Sequence, residues 1–249
     1  MGRDTGLNYP SGGAHNRTVF GDSAWSSAIG TSVMHQAPIL AAMWPKDFCR
    51  DFDDFIQYND ATGEMWTLTG GTIGISATEP HGVLSMATAA SASAEANAQK
   101  LVIWNLHATK TLYAEFKWHG GHATNGGWIV GLMTADTTPL ASPATEYGVY
   151  FRKDDGDANI DCVTLSNGTA TATDSGLDAV ASTFNTLGFV ATTTSVAFYN
   201  GATLLATHTT NIPGATDDLQ LTIAGIATAG GTAMTVLCDW ADVIQARTS

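Results

Sequence analysis

The sequence predicts an all-β protein built as a β-sandwich, preceded by an extended N-terminal segment. Short apolar runs recur from residue 51 onward, and Gly, Asn, Asp or Pro separates most of them. Many short strands at this spacing, with no long helical period between them, are typical of two antiparallel sheets packed face to face. The chain has 249 residues, 44% of them hydrophobic, which is enough to bury one large core.

The first 47 residues differ in composition from the rest of the chain. They are rich in Gly, Ser, Pro and Asn, and their large apolar side chains are isolated, without a period of 2 or 3.6. Because disordered segments are usually depleted in aromatic residues, we predict that residues 1–47 form an extended arm that lies on another subunit. The predicted partner-binding residues of the arm are Tyr9, Phe20, Trp25, Ile29, Met34, Leu40 and Trp44.

The remainder, residues 48–249, is predicted to form one sandwich of short strands. These strands are Phe52–Gln57, Met65–Leu68, Thr72–Ala77, Gly82–Ala87, Lys100–Trp104, Thr111–Trp118, Trp128–Met133, Tyr147–Lys153, Ile160–Leu165, Phe184–Ala191, Ser195–Tyr199, Thr203–His208, Leu219–Ala224 and Met234–Ala246. Residues 88–98, TAASASAEANA, are helical by propensity, but they fit equally a loop that leads into a strand.

Residues 189–208, FVATTTSVAFYNGATLLATH, predict a hairpin with Asn200 and Gly201 at the centre of its turn. A two-residue turn of this kind needs positive φ, which Gly adopts freely and Asn tolerates. The predicted register places Val196 opposite Leu205. Both faces of the hairpin then carry apolar side chains, which indicates a strand pair in the centre of the sandwich, present for stability.

Three stretches resemble concanavalin A-like, laminin-G-like jelly-roll domains. They are RDFDDFIQYNDATGEMWTLTGGTIGI near the start, TLGFVATTTSVAFYNGATLLATHTTNIP in the middle and MTVLCDWADVIQAR, which looks like a closing strand that returns beside the first. The resemblance covers roughly residues 50–247. Its motifs are structural, so it implies an antiparallel jelly-roll β-sandwich and carries little information on function.

Sandwiches behind an unperiodic arm also resemble virion proteins of tailed bacteriophages, in which such domains decorate capsids or build fibres. That resemblance implies a non-enzymatic decoration or minor capsid protein on the capsid surface. Its partners would be the major capsid protein or other virion subunits, and the protein would be a homo-oligomer or bound to a lattice. The alternative is a carbohydrate-binding, lectin-like recognition domain of a phage fibre or an exported protein, with a surface glycan as ligand.

Charge and composition restrict the partners further. The net charge of -13 argues against binding to phosphate backbones or anionic membranes. The N-terminus has no apolar stretch of the kind found in a signal peptide, so we expect synthesis in the host cytoplasm.

We predict that Cys49, Cys162 and Cys238 are reduced and buried.

The sequence predicts no catalytic residues. Glycosidases of this fold place two carboxylates on one strand, as in Glu-x-Asp-x-x-Glu, because the reaction needs an acid and a nucleophile or base. The five Glu residues of this chain form no such pair. Glu115 is the only one in mid-strand, and we interpret it as part of a solvated strand face. We therefore predict no enzymatic activity and no cofactor.

Two stretches contain residue types that bind metals. In KDDGDANID the oxygen-bearing side chains of Asp155, Asp157, Asn159 and Asp161 alternate as in a calcium loop, but the Gly position differs and no Glu follows. A polar hairpin with an Asp-Gly turn explains the same residues, and we predict that no ion binds there. In WHGGHATNGGW, His119 and His122 lie close together without further ligands nearby, which favours a surface loop.

A sugar platform is the remaining candidate site. Aromatic side chains of Trp118, Trp128 and Tyr147, with Tyr150 beside them, would stack on a saccharide if they were exposed. The other interpretation places them in the core of the sandwich, where aromatic residues are common.

Overall fold

The computed structural model describes residues 47–56, 65–80, 82–140, 145–181 and 183–247. Within these ranges the chain forms fifteen strands, all paired antiparallel, in two sheets. The predicted all-β sandwich is therefore confirmed. The described part of the chain contains no helix long and apolar enough to cross a membrane.

Fourteen of the fifteen strands overlap a predicted one. In chain order the strands are β1 (Phe48–Asp53), β2 (Trp66–Thr69), β3 (Thr72–Ile75), β4 (Leu84–Ala87), β5 (Glu95–Trp104), β6 (Leu112–Gly120), β7 (Gly127–Met133), β8 (Gly148–Lys153), β9 (Asn159–Ser166), β10 (Thr169–Asp178), β11 (Asn185–Ala191), β12 (Val196–Asn200), β13 (Thr203–His208), β14 (Leu219–Ile226) and β15 (Thr235–Ala246). Residues 88–94 form a loop, and β5 begins at Glu95, so the second interpretation of residues 88–98 is correct.

Strand β10 is absent from the sequence prediction. Its sequence, TATATDSGLD, has no apolar alternation, and nearly all of its residues are exposed or half-buried. The physical reason is its position, because β10 is the edge strand of its sheet and neither of its faces is fully covered. An edge strand of this kind leaves no hydrophobic period in the sequence.

The two sheets have a jelly-roll arrangement in which strands distant in sequence lie side by side. The eight-stranded sheet has the order β13-β12-β11-β6-β15-β4-β3, and β1 also pairs with β15. The seven-stranded sheet has the order β10-β9-β8-β7-β14-β5-β2. The closing strand β15 thus lies beside β1, as the resemblance implied.

The core lies between the sheets and is rich in aromatic contacts that join them. Trp118 of β6 packs against Trp128 of β7 with ring centroids 5.4 Å apart, and Phe151 of β8 packs edge-on against Phe198 of β12, also at 5.4 Å. Burying aromatic side chains of this size contributes strongly to the stability of a sandwich core.

The predicted register of the β12–β13 hairpin is wrong. Asn200 ends β12 and pairs with Thr203, so the two central turn residues are Gly201, with a φ of +54°, and Ala202, which has no positive φ. This is the pattern of a type II′ turn, which needs Gly at the first central position only. The extra residue Leu205 forms a bulge and packs on the core, so that Val196 pairs with His208.

A loop over residues 134–140 covers part of the outer face of the seven-stranded sheet. Two amide side chains of β5 hold it, because Asn97 donates to the Thr137 carbonyl at 2.7 Å and Gln99 both donates to the Thr134 carbonyl and accepts from the Asp136 amide. Beneath the loop lies a second buried apolar cluster. It comprises Ile129, Met133, Tyr150, Val163, Leu165 and Ala224, with Leu140 of the loop packed on it.

Buried Lys100 connects β1 to the seven-stranded sheet. Its ammonium group lies 2.7 Å from a carboxylate oxygen of Asp51 and 3.2 Å from one of Asp53, and the Trp66 indole also donates to Asp53. Strand β1 is thereby tied to both sheets, through β15 on one side and Lys100 on the other. A buried cation has lost its contacts with water and needs negative charge beside it, and the two carboxylates supply that charge.

The cysteine prediction is right in part. All three thiols are free, and Cys162 and Cys238 are buried, whereas Cys49 is exposed. Cys49 lies on β1, whose one pairing partner among the described strands is β15. Burial raises the pKa of the Cys162 thiol to about 12, so this thiol is unreactive at neutral pH.

Candidate functional site on the outer face of the eight-stranded sheet

The outer face of the eight-stranded sheet carries charged and aromatic side chains in alternation. Along β6, residues 112, 114, 116 and 118 point into the core, so Tyr113, Glu115 and Lys117 point outward. Their neighbours on β15 and β1 follow from the register of the ladders. We call this surface the aromatic face, and its residues are Arg50, Phe52, Tyr113, Glu115, Lys117, Phe184, Tyr199, Asp239, Trp240 and Asp242.

Two carboxyl groups stand directly opposite each other in the centre of the aromatic face. Glu115 of β6 and Asp242 of β15 are register partners, which places their Cβ atoms roughly 4.5–5.5 Å apart. Arg50 of β1 binds Asp242 through two hydrogen bonds, from Nε at 2.9 Å and from an Nη atom at 2.8 Å. The Asp242 side chain is only 7% exposed, so its charge is held by Arg50 and is largely removed from water.

Among the residues that the structure describes, Glu115 has no comparable partner, and its pKa is raised to about 7. Burial is the larger cause and the negative charge of Asp242 is the second. On the other side of Glu115, its register partner on β11 is Gly188, which has no side chain to offer a hydrogen bond. The nearest cation along β6 is Lys117, whose ammonium group is 2.8 Å from a carboxylate oxygen of Asp239.

Aromatic rings surround this charged centre. The Arg50 guanidinium lies 5.2 Å from the ring centroid of Phe52, and the Lys117 ammonium lies 5.6 Å from that of Phe184. Tyr199 lies across Gly188 from Glu115, and Trp240 is the register partner of Lys117. Tyr199 and Trp240 are half-buried, and Phe52 is 50% exposed.

This arrangement suits a flat polar ligand with some apolar surface. Ring faces pack against C–H groups, while carboxylates and hydroxyls at fixed positions form hydrogen bonds that orient the ligand. Of the two carboxyl groups, Glu115 is the one whose raised pKa suits it to carry a proton near neutral pH. However, both oxygens of Asp242 are bound to Arg50, which leaves Asp242 unsuited to act as a nucleophile or base.

The predicted sugar platform does not form. Trp118 and Trp128 are each 1% exposed and pack on each other inside the core, so neither ring offers a face to a ligand. The physical reason is strand alternation, which points both side chains between the sheets. Tyr147 is half-buried and also packs on the core, and Tyr150 lies in the second apolar cluster. The core interpretation of these aromatic residues is the one that the structure supports.

The acidic loop between β8 and β9 distributes its side chains to separate partners. Asp155 accepts hydrogen bonds from the backbone amides of Gly126 at 2.7 Å and Ala229 at 3.2 Å. Asp157 accepts from the Asn159 amide at 3.0 Å. These contacts bind the loop to its surroundings and do not bring the carboxylates together.

The other two oxygen-bearing side chains of this loop turn toward neighbouring strands. The amide of Asn159 donates to Asp174 at 2.9 Å, and Asp161 pairs with Arg152 at 3.2 Å. Across the described ranges no group of three or more His, Cys, Asp or Glu side chains is placed to hold a metal ion. The absence of a calcium site stays a prediction.

A lysine next to this loop occupies a cage of backbone carbonyls. The buried Lys153 ammonium donates to the carbonyls of Thr124 at 3.0 Å, Gly126 at 2.7 Å and Asp154 at 3.1 Å. Burial lowers the pKa of Lys153, although nearby carboxylates oppose that effect. The cage fastens the loops at this end of the sandwich.

The histidine pair is not assembled as a site. His119 is buried, its Nδ1 is 2.9 Å from the carbonyl oxygen of Gly120, and its ring packs edge-on against Phe184 at 4.8 Å. His122 lies in the following loop. The surface-loop interpretation therefore holds for His122 and is wrong for His119.

The predicted contact residues of the arm lie outside the described residues. The structure adds instead a site that sequence reasoning missed. Glu115 was interpreted as part of a solvated strand face, but it is half-buried and stands opposite Asp242. The search for paired carboxylates was confined to single strands, and this pair joins β6 to β15, whose register is not visible in the sequence.

Comparison with known proteins places the fold among lectins and glycan-processing enzymes. No family model matches the chain, and no curated protein matches it. Among solved structures the chain is similar to a Bacillus licheniformis β-glucanase, with a TM-score of 0.54, 17% identity and coverage of 80% of this chain and 98% of the other. It is also similar to peanut lectin with a nine-residue peptide, with a TM-score of 0.57, 10% identity and coverage of 81% and 99%.

A third similar structure is the Crh5 transglycosylase in complex with NAG, with a TM-score of 0.56, 14% identity and coverage of 80% and 84%. At these identities the likeness shows the fold alone. The described domain is thus a concanavalin A-like jelly-roll β-sandwich, as the resemblance in the sequence implied.

Proposed function

We propose that this protein is a non-catalytic carbohydrate-recognition module that binds a neutral saccharide on its aromatic face. The observation that carries the proposal is the outer sheet surface on which exposed Phe52 and half-buried Tyr199 and Trp240 lie among hydrogen-bonding charged groups, with no described loop covering it. A loop of the protein itself covers part of the outer face of the other sheet. Similar structures include a lectin and enzymes that act on glycans, which supports a saccharide as the ligand class.

The charge distribution favours a neutral ligand. Residues 47–249 contain seven cationic and 21 acidic residues, which gives a net charge of -14. Five of the seven cations are already engaged with carboxylates or carbonyls, namely Arg50, Lys100, Lys117, Arg152 and Lys153. An anionic saccharide would be repelled, whereas the hydroxyls of a neutral one can donate to the carboxylates.

The state of Asp242 supports recognition without cleavage. Glycoside hydrolysis needs a second carboxylate that is free to attack the sugar or to activate water. Here that carboxylate is bound on both oxygens by Arg50 and is almost fully buried. Glu115 can donate a proton, but the described strands place no free partner carboxylate opposite it.

A structural role in a virion is a second candidate, and the composition of the arm favours it. Residues 1–47 contain three cationic and three acidic residues, a net charge of 0, in front of residues 48–249 with a net charge of -13. A segment without net charge that carries large apolar side chains is suited to attach an acidic domain to another subunit. In this role the arm would bind the major capsid protein or another virion subunit, and the sandwich would be displayed on the capsid surface.

The test of the proposed function is a binding screen with neutral oligosaccharides, including N-acetylglucosamine oligomers and mixed-linkage β-glucan fragments, followed by titration calorimetry. We expect Trp240→Ala and Tyr199→Ala to weaken binding by about tenfold, the loss of roughly one aromatic stacking contact. Val180→Ala changes an exposed apolar residue elsewhere and should bind like the wild type. The proposal fails if no saccharide binds, or if both aromatic variants bind like the wild type with their melting temperatures unchanged.

A further inference from the structure

The aromatic face has one carboxyl group more than it has cations. Asp242 is neutralised by Arg50, and Asp239 is neutralised by Lys117 at 2.8 Å. Glu115 is the carboxyl group that remains. Because the half-buried Glu115 lies opposite a fixed negative charge and no described cation pairs with it, a proton is the cation most readily available to it.

Every element packed around Glu115 supports this assignment. On its own strand the outward neighbours are Tyr113 and Lys117, and Lys117 is already engaged. Strand β15 presents the carboxylate of Asp242, strand β11 presents Gly188, and strand β12 beyond it presents the phenol of Tyr199. These described neighbours include no cation free to pair with an ionised Glu115.

We propose that Glu115 contacts the saccharide as a neutral carboxylic acid, donating its proton in a hydrogen bond to a ligand oxygen, so that binding is coupled to protonation. This inference rests on the proposed function and names Glu115 as the residue that makes saccharide binding depend on pH. A saccharide stacked on the neighbouring rings excludes water from Glu115, which strengthens the repulsion from Asp242 and favours the protonated form further. By linkage, the protonated form then binds the saccharide more tightly.

The size of the effect follows from the fraction of protein that carries the proton. Burial and the charge of Asp242 raise the pKa of Glu115 to about 7. If only the protonated form binds, the apparent affinity follows its population. Between pH 6 and pH 8 that population falls about tenfold, and the affinity should fall by the same factor.

The experiment measures affinity by titration calorimetry at pH 6, 7 and 8, using the neutral oligosaccharide that binds most tightly in the screen. Glu115→Gln keeps a hydrogen-bond donor but cannot ionise, so its affinity should stay constant over this range. Asp178→Asn removes an exposed carboxylate from the opposite sheet and should show the same pH dependence as the wild type. Repeating the pH 7 titration in buffers of different ionisation enthalpy should reveal proton uptake by the wild type and none by Glu115→Gln.

The possible outcomes separate this inference from the proposed function. Saccharide binding that is independent of pH in the wild type overturns the inference and leaves the proposed function standing. A pH dependence that persists in Glu115→Gln assigns the proton to another group, such as His119 on the same strand, and also overturns it. If no oligosaccharide binds at any pH, the proposed function fails and the contact fails with it.

Discussion

Replacing Glu115 by Gln removes a carboxyl group that the fold holds in an unfavourable environment. Its pKa rises from the ordinary 4.5 to about 7 in the folded protein, because of burial and the nearby charge of Asp242. Below pH 4.5 the group is protonated in both the folded and the unfolded chain, so it has no effect on stability. As the pH rises from 4.5 to 7 the unfolded chain loses this proton first, and the free energy of unfolding decreases.

Above pH 7 the group is ionised in both states and the loss of stability is complete. Each unit of pKa difference corresponds to about 1.4 kcal/mol, so the ionised Glu115 destabilises the fold by at most about 3.5 kcal/mol. Glu115→Gln avoids this loss. Relative to the wild type, the variant should gain stability progressively between pH 4.5 and pH 7 and keep that gain at pH 8.

Urea denaturation of both proteins at pH 4, 5, 6, 7 and 8 measures this difference. The pH dependence of all other groups is common to both proteins and cancels when their free energies of unfolding are subtracted. Thr186→Ala, a non-titrating change on the neighbouring strand β11, serves as the control and should differ from the wild type by a constant amount. A Glu115→Gln difference that is also constant from pH 4 to pH 8 would refute the assignment of the proton to Glu115.

The remaining predictions concern the turn, the loops and the arm. Gly201→Val forces a β-branched residue into a φ of +54° and should destabilise the fold by about 1–3 kcal/mol in urea denaturation, whereas Gly74→Val, in open space without positive φ, should lose little. Lys153→Met leaves the buried Gly126 carbonyl and the partly exposed carbonyls of Thr124 and Asp154 without their shared donor and should cost about 1–3 kcal/mol. Chelator should leave the melting temperature unchanged, and a rise of several degrees in millimolar calcium that Asp157→Ala abolishes would contradict this. Deleting residues 1–47 should leave the melting temperature of the sandwich intact but abolish attachment to assembled particles in a co-sedimentation assay.

The strands were predictable because most of them have one face in the core. Runs such as residues 127–133 and 148–153 are almost completely buried, and burial of this kind leaves a clear apolar signal in the sequence. The edge strand β10 has no such face and left no signal. The hairpin was predictable as an element, but its register depended on a turn type and a bulge that were not evident from the Asn-Gly pair.

The candidate site was not predictable, because it depends on which strands become neighbours. Glu115 and Asp242 are far apart in sequence and meet only through the pairing of β6 with β15. Arg50 reaches them because β1 returns to the other side of β15. Local patterns indicate which side chains of a strand share a face, but they do not give the partner strand or its register.

The supply of cations explains why a proton, and not an ion pair, neutralises the centre of the aromatic face. Lys100 and Lys153 are fully buried. Lys100 joins β1 to the seven-stranded sheet, and Lys153 fastens the loops beside β8. Two of the seven positive charges of the domain therefore hold chain segments in place inside the protein and are not available to the outer faces of the sheets. The aromatic face is left with three carboxyl groups and two cations, and Glu115, the carboxyl group that neither described cation pairs with, is the one that takes up a proton near neutral pH.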